Sequence, residues 1–245
     1  VYKRQGQWLD IVMLFAWGAV LIKFWVTGQI NILLHPDYQW LAHGAAIVLL
    51  GLGMLKLLQQ LSGRRSAAPA AHISLLPPGV GSTILLITAI IGLIYQPRPF
   101  DSTVALERGV TETLSATRAQ PQAFGNITQP EDKSLIDWVR TLNVYPEPDA
   151  YTGQAGNIDG FVVYDPALPE DYLLLSRFVI TCCAADVYPV GLPVKITGSR
   201  SDYPADAWFA VTGTMATAEL AGDRRLVLVA DDLTAIAIPK NPYEY

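Results

Sequence analysis

Cys182 and Cys183 are the only cysteines in 245 residues, and they are adjacent, within "RFVITCCAADVYPVG". A thiolate pair can hold a soft or borderline metal, exchange disulfides, or close on itself. Two thiolates fall short of the four ligands usual at structural zinc, so a zinc site needs more donors. Asp186 is near enough in sequence to contribute, and His35 and His43 are the imidazole candidates expected on the same membrane side. A bond between neighbouring cysteines requires departure from strand geometry and leaves a strained, easily reduced ring. The third reading is structural: on a regular strand residues 182 and 183 point to opposite faces, one into a core as a small hydrophobe. All three readings depend on what carries the pair and on which side of a membrane it lies.

Composition bears on the second question. The chain is 51% hydrophobic and 16% charged, against about a quarter charged in ordinary soluble domains. Residues 1–98 hold seven Lys/Arg and two acids, whereas residues 99–245 hold ten Lys/Arg and twenty acids. The acidic second part argues against a nucleic-acid partner, since phosphate binding needs the opposite sign. Three apolar runs lie in the first part, Trp8–Gly28, Trp40–Leu58 and a shorter one ending at Tyr95. A helix needs roughly 20 apolar residues to cross the hydrocarbon core. Three spans are therefore expected over 1–98.

Lys3 and Arg4 precede the first run, and Lys56, Arg64 and Arg65 follow or end the second. The link between them, "QINILLHPDYQ", has no Lys or Arg. By the positive-inside rule the N-terminus is cytoplasmic, and three crossings deliver the remainder to the opposite side of an inner, plasma or thylakoid membrane. Arg98 and Arg108, after the third run, pull the other way. Lys23 lies inside the first span near its outer end, where its stem lets the ammonium reach the interface. "GVGST" and "GLGMLK" lack the strand–loop–helix setting of a phosphate loop and read as sites of close helix packing.

Residues 99–152 read as a linker with one amphipathic helix in "EDKSLIDWVRTL", where Leu135, Ile136, Trp138, Val139 and Leu142 keep helical spacing. Pro130, Glu131 and Asp132 suit its start. From 153 to 245 six β-rich runs are separated by Pro, Gly and Asp: "AGNIDGFVVYD", "DYLLLSRFVIT", "LPVKITG", "AWFAVTGTMA", "RRLVLVA" and "LTAIAIP". The expected fold is thus α+β: three transmembrane helices followed by a small exported β-barrel, OB-like in strand count, with a sandwich as the alternative. All three histidines (His35, His43, His72) precede residue 73. The exported part therefore has no Ser-His-Asp or Cys-His pair, and a non-catalytic role is expected.

Several stretches together resemble the YcgQ-like family: "TGQINILLHPDYQWLAHGAA", "PRPF", "ERGV", "GFVVYD", "RFVITCCAADVYPVGLPV" and "DAWFAVTGT". These bacterial membrane proteins are described as subunits of a two-component permease. The resemblance implies a hydrophobic N-terminal region, a β-rich C-terminal domain, a separate polytopic permease-like partner in the lipid bilayer, and a link to metal, zinc among the candidates. On that reading Cys182, Cys183 and Asp186 are the metal-ligating candidates. The chain departs from relatives with a His-rich cytoplasmic loop, since His72 alone remains there. The expected function is a non-catalytic subunit of a membrane transport complex, its barrel a cap or binding module. The alternative is an assembly or stabilising subunit whose barrel is a protein-interaction surface.

Overall fold

The computed structural model describes residues 2–62, 79–110 and 129–245. Arg64, Arg65, His72 and the polar stretch 111–128 lie outside the described residues. The chain is α+β and divides into two compact units, 1–98 and 99–245.

In the first unit, α1 spans Tyr2–Val26, the short α2 Ile30–Leu33, α3 Pro36–Leu61 and α4 Val80–Ile94. Two of these, α1 and α3, are long and apolar enough to cross a membrane. The third expected run forms only a 15-residue helix, α4. At 1.5 Å per residue it is about 22 Å long, short of a hydrocarbon core of about 30 Å. Its start is held back because the chain enters it through Gly79 in a left-handed conformation (φ 88°), just after Pro77 and Pro78.

Small residues let these helices approach closely. A Cβ on Gly18 of α1 would come within 2.5 Å of Leu50 on α3, and one on Gly92 of α4 within 3.2 Å of Val20. Ala46 and Ala89 are fully buried in these seams. The pairing runs antiparallel between α1 and α3: Asp10 reaches Lys56 at 3.7 Å, and Trp25 stacks on His43 with centroids 4.1 Å apart. It runs parallel between α1 and α4, because Ser82 donates to Asp10 (2.6 Å) near one end and Lys23 donates to the carbonyls of Gly92, Leu93 and Tyr95 near the other (3.3, 2.9 and 2.8 Å). Lys23 therefore does not simply extend to an interface. It satisfies carbonyls that the last turn of α4 leaves without intrahelical donors.

The second unit contains α5 (Ser102–Arg108), α6 (Leu135–Val144) and strands β1 (Ala155–Val163), β2 (Tyr172–Val179), β3 (Tyr188–Lys195), β4 (Trp208–Leu220), β5 (Asp223–Ile236) and β6 (Tyr243–Glu244). The six strands form one sheet in the order β1-β4-β5-β3-β2-β6, and β1 also pairs with β2 through Phe161–Val163. The β3–β5 and β2–β6 pairs are parallel; the others are antiparallel.

The amphipathic helix is present, but its start differs from expectation. Pro130–Asp132 makes a separate 3-10 turn, and α6 begins after Ser134. Ser134 and Asp137 form a reciprocal capping box there. Leu135, Ile136, Trp138, Val139 and Leu142 enter the main core with Ile158, Leu173, Leu175, Leu192, Val211 and Leu228. Two strand expectations also change. "RRLVLVA" and "LTAIAIP" are one strand, β5, because Asp231 sits in a bulge: Thr212 pairs with Asp232 and Gly213 with Ala230. The run "LPVKITG" begins earlier than expected, since β3 opens at Tyr188.

β2 is buried on both faces. Leu173, Leu175 and Val179 face the main core, while Phe178 packs against Phe161 (5.3 Å) and Phe100 (5.6 Å) on the other side. This doubly packed strand is the rigid stem that leads into the cysteine segment.

Candidate thiol–carboxylate site

β2 ends at Val179 and β3 begins at Tyr188, so Cys182 and Cys183 lie in the connecting loop and not on a strand. Alternation therefore does not apply to them. Cys182 is exposed and Cys183 half-buried, which removes the expectation that one of them fills the core. Their sulfurs converge to 3.7 Å, too far apart for a disulfide and close enough for contact.

Asp186 shapes the loop. Its carboxylate accepts from the backbone N–H of Cys182 (2.9 Å), the backbone N–H of Cys183 (3.1 Å) and the Thr181 hydroxyl. The Asp186 N–H in turn donates to the Cys183 carbonyl (3.1 Å), closing a tight turn. One short acidic side chain thus pins two successive cysteine backbones, and that turns both sulfurs the same way. Thr181 was not singled out in the sequence; its signal is the T-x4-D spacing at a strand end.

The electrostatics follow from the same contacts. Burial opposes ionisation of Asp186, yet the donations from Thr181, the Cys182 thiol and the two backbone N–H groups outweigh it and hold the carboxyl below its ordinary value. The Cys182 thiol is pushed up to about 11, chiefly because it donates to Asp186 and also because of Cys183 beside it. A thiol held protonated at neutral pH is a poor nucleophile, so Cys182 is ill suited to start disulfide exchange. Metal ligation is different, because a cation replaces the proton outright.

Cys182, Cys183 and Asp186 do converge: one sulfur from each cysteine and a carboxylate oxygen lie within 4.8 Å of one another. The other sequence candidates belong to the helical unit. His43 is stacked on Trp25, and His35 caps α3, its Nδ1 accepting from the Asp37 N–H at 3.2 Å. The donor set at the loop is two sulfurs and one oxygen, suited to a borderline divalent cation.

Neither curated proteins nor solved structures give a match to this chain. Family comparison does: residues 9–111 match the DUF1980 N-terminal domain and residues 111–245 the DUF1980 C-terminal domain. The apolar helical unit and the sheet unit with its cysteine loop correspond to those two halves, and the chain belongs to the DUF1980 family.

Proposed function

We propose that this chain is a non-catalytic subunit of a membrane transport complex, with three spans and an extracytoplasmic module that acts as cap or binding surface for a polytopic permease-like partner. The observation that carries the reading is the use of charge in the helical unit. Asp10 is taken up by Lys56 and Ser82, and Lys23 by three carbonyls of α4. Intramembrane charges are costly and commonly line solute paths; these are spent on holding α1, α3 and α4 together. The path then belongs to another protein.

The up-down-up arrangement of α1, α3 and α4 supports a third crossing despite the shortness of α4, since a parallel α1–α4 pair needs α3 to return between them. Bilayer thinning and flanking residues accommodate such a mismatch. An odd number of crossings sets the sheet unit opposite the basic N-terminus. The ring of pairings β1–β4–β5–β3–β2–β1, parallel only between β3 and β5, supports closure of five strands as an OB-like barrel, a binding scaffold used for many ligands. The resemblance to the YcgQ-like family supplies the permease partner.

Purification of the full chain in mild detergent is expected to bring down one polytopic membrane protein in fixed ratio. Recovery of a multisubunit energy-converting complex instead would favour the assembly role. In a background lacking the native pair, Ser201→Cys is expected to react with an impermeant thiol reagent once any outer envelope is opened, and Arg64→Cys to stay shielded in intact cells. The opposite labelling overturns the orientation.

A further inference from the structure

We propose that Cys182, Cys183 and Asp186 form an exchangeable zinc site, bound through two thiolates and one carboxylate oxygen with the fourth position open to solvent or to a donor from a partner. Nothing in the transport reading requires it.

The argument begins with the sulfur separation. Two thiolates each about 2.3 Å from a tetrahedral zinc lie about 3.8 Å apart, and Cys182 Sγ and Cys183 Sγ lie 3.7 Å apart. A linear two-thiolate centre with the same bond length needs about 4.6 Å. The loop thus holds the tetrahedral edge without rearrangement, fixed by the Asp186 contacts to both cysteine N–H groups.

The third donor is also available. A carboxylate has about four lone-pair positions. Thr181 and the Cys182 N–H share Oδ2, whereas Oδ1 accepts only the Cys183 N–H among backbone donors. Ligation releases the two thiol protons to water, so the sulfurs bind as thiolates beside a carboxylate that keeps unused lone pairs. Charge balances as well: two thiolates and a carboxylate around a dication leave a net of −1, which a neutral or cationic fourth ligand suits.

Openness separates this site from a structural one. Structural zinc is closed by four protein ligands and its loss unfolds small domains. Here the loop has three candidate donors, Cys182 is exposed, and the sheet already has a core supplied by α6, β1–β5 and their apolar side chains. The cation would be held at the surface of a fold that stands without it, as a site for taking up and passing on zinc requires.

The test uses the full chain in mild detergent, reduced and stripped with a chelator. One equivalent of zinc is expected to bind per chain and to protect both thiols from alkylation. Cobalt(II) is expected to give a thiolate-to-metal charge-transfer band with tetrahedral d–d absorption, displaced by zinc. Cys182→Ser and Cys183→Ser should each weaken zinc by at least about a hundredfold, more than loss of an outer hydrogen bond does, while Asp186→Asn keeps the thiolate band with weaker affinity. A chromophoric chelator should remove the zinc within minutes and leave the melting temperature unchanged. Absence of the cobalt–thiolate band in the unsubstituted chain, or zinc binding undiminished in both serine variants, overturns the site. Zinc that resists the chelator, or whose removal unfolds the sheet unit, overturns its exchangeable character. A partner that still co-purifies when no zinc binds would leave the transport reading standing, so the two failures are distinct.

Discussion

Gly213→Ala is expected to abolish the cooperative melting of the sheet unit. At this position a Cβ would lie 2.0 Å from the Val229 carbonyl oxygen, 2.9 Å from its carbon and 3.0 Å from the Ala230 Cα. All three are backbone atoms, so no side chain can rotate away. Relief requires β4 and β5 to separate at the bulge, where Gly213 pairs with Ala230. The neighbouring ladder carries Val211, Met215 and Leu228, all fully buried, so separation there opens the core. Overpacking in a core costs about 1–3 kcal/mol when side chains can yield; with backbone on both sides the loss should exceed about 4 kcal/mol, a large part of an ordinary domain's 5–15 kcal/mol. Thr214→Ala, one residue on and exposed, is the control and should cost under about 1 kcal/mol. Thermal or urea melts followed by circular dichroism decide it: a Gly213→Ala melt within a few degrees of the parent would show that the bulge has room.

The second large effect is expected at Arg177. Its side chain is only 10% exposed and meets Glu244, itself 17% exposed. Asp159, at 3.5 Å, is the more exposed second partner, and the guanidinium lies 5.2 Å over the Trp208 ring. Breaking a buried pair by removing one partner costs about 3–5 kcal/mol, because the other charge is left uncompensated. Arg177→Ala should fall in that range and release β6, which pairs with β2 only at Phe178–Tyr243 and Val179–Glu244. Glu244→Gln removes the stranded charge, so the double variant should be less destabilised than the sum of the singles, with a coupling above about 1 kcal/mol. Additive losses would mean that the contact contributes little beyond packing. Faster proteolysis at residues 243–245 in Arg177→Ala is the accompanying structural readout.

Much of this architecture was legible because periodicity reports burial. The stripe Leu135, Ile136, Trp138, Val139 and Leu142 identified α6, and every one of those side chains is buried. Its start was misplaced because Pro130–Asp132 also carries helix-start chemistry, and the Ser134–Asp137 box uses the shorter acid in place of Glu. β5 was divided because two consecutive aspartates read as a turn, whereas Asp231 is accommodated as an extra residue opposite Gly213. The third run was already the shortest in the sequence, and composition alone does not mark that its helix starts only after Gly79 turns the chain.

The cysteine loop shows the limit most clearly. Its residues stand out by their rarity, and Asp186 by proximity, but the run "DYLLLSRFVIT" stops just before them and leaves strand placement as one of three readings. What ends the strand is one carboxylate collecting the N–H groups of Cys182 and Cys183. A competition between side-chain and ladder acceptors of that kind is decided by three-dimensional fit, not by the local pattern of apolar residues.

The strand order also dictates a sequence of events as the chain is made. β4 and β5 are joined by Ala221 and Gly222, both with positive φ (53° and 91°), the two-residue turn that matches strand twist. Such a hairpin zips in microseconds. β1 is in a different position: it is synthesised first, but among the described residues its Ala155–Gly160 segment pairs with β4, Phe209–Thr214. From the time residue 160 emerges until residue 214 follows, those backbone donors and acceptors form an open edge, the sort of surface that recruits strands from other molecules. Early β1–β2 pairing covers just Phe161–Val163. The nascent chain therefore carries an unpaired strand edge during the synthesis of about 50 residues between β1 and β4, and a pause in translation there would prolong that exposure.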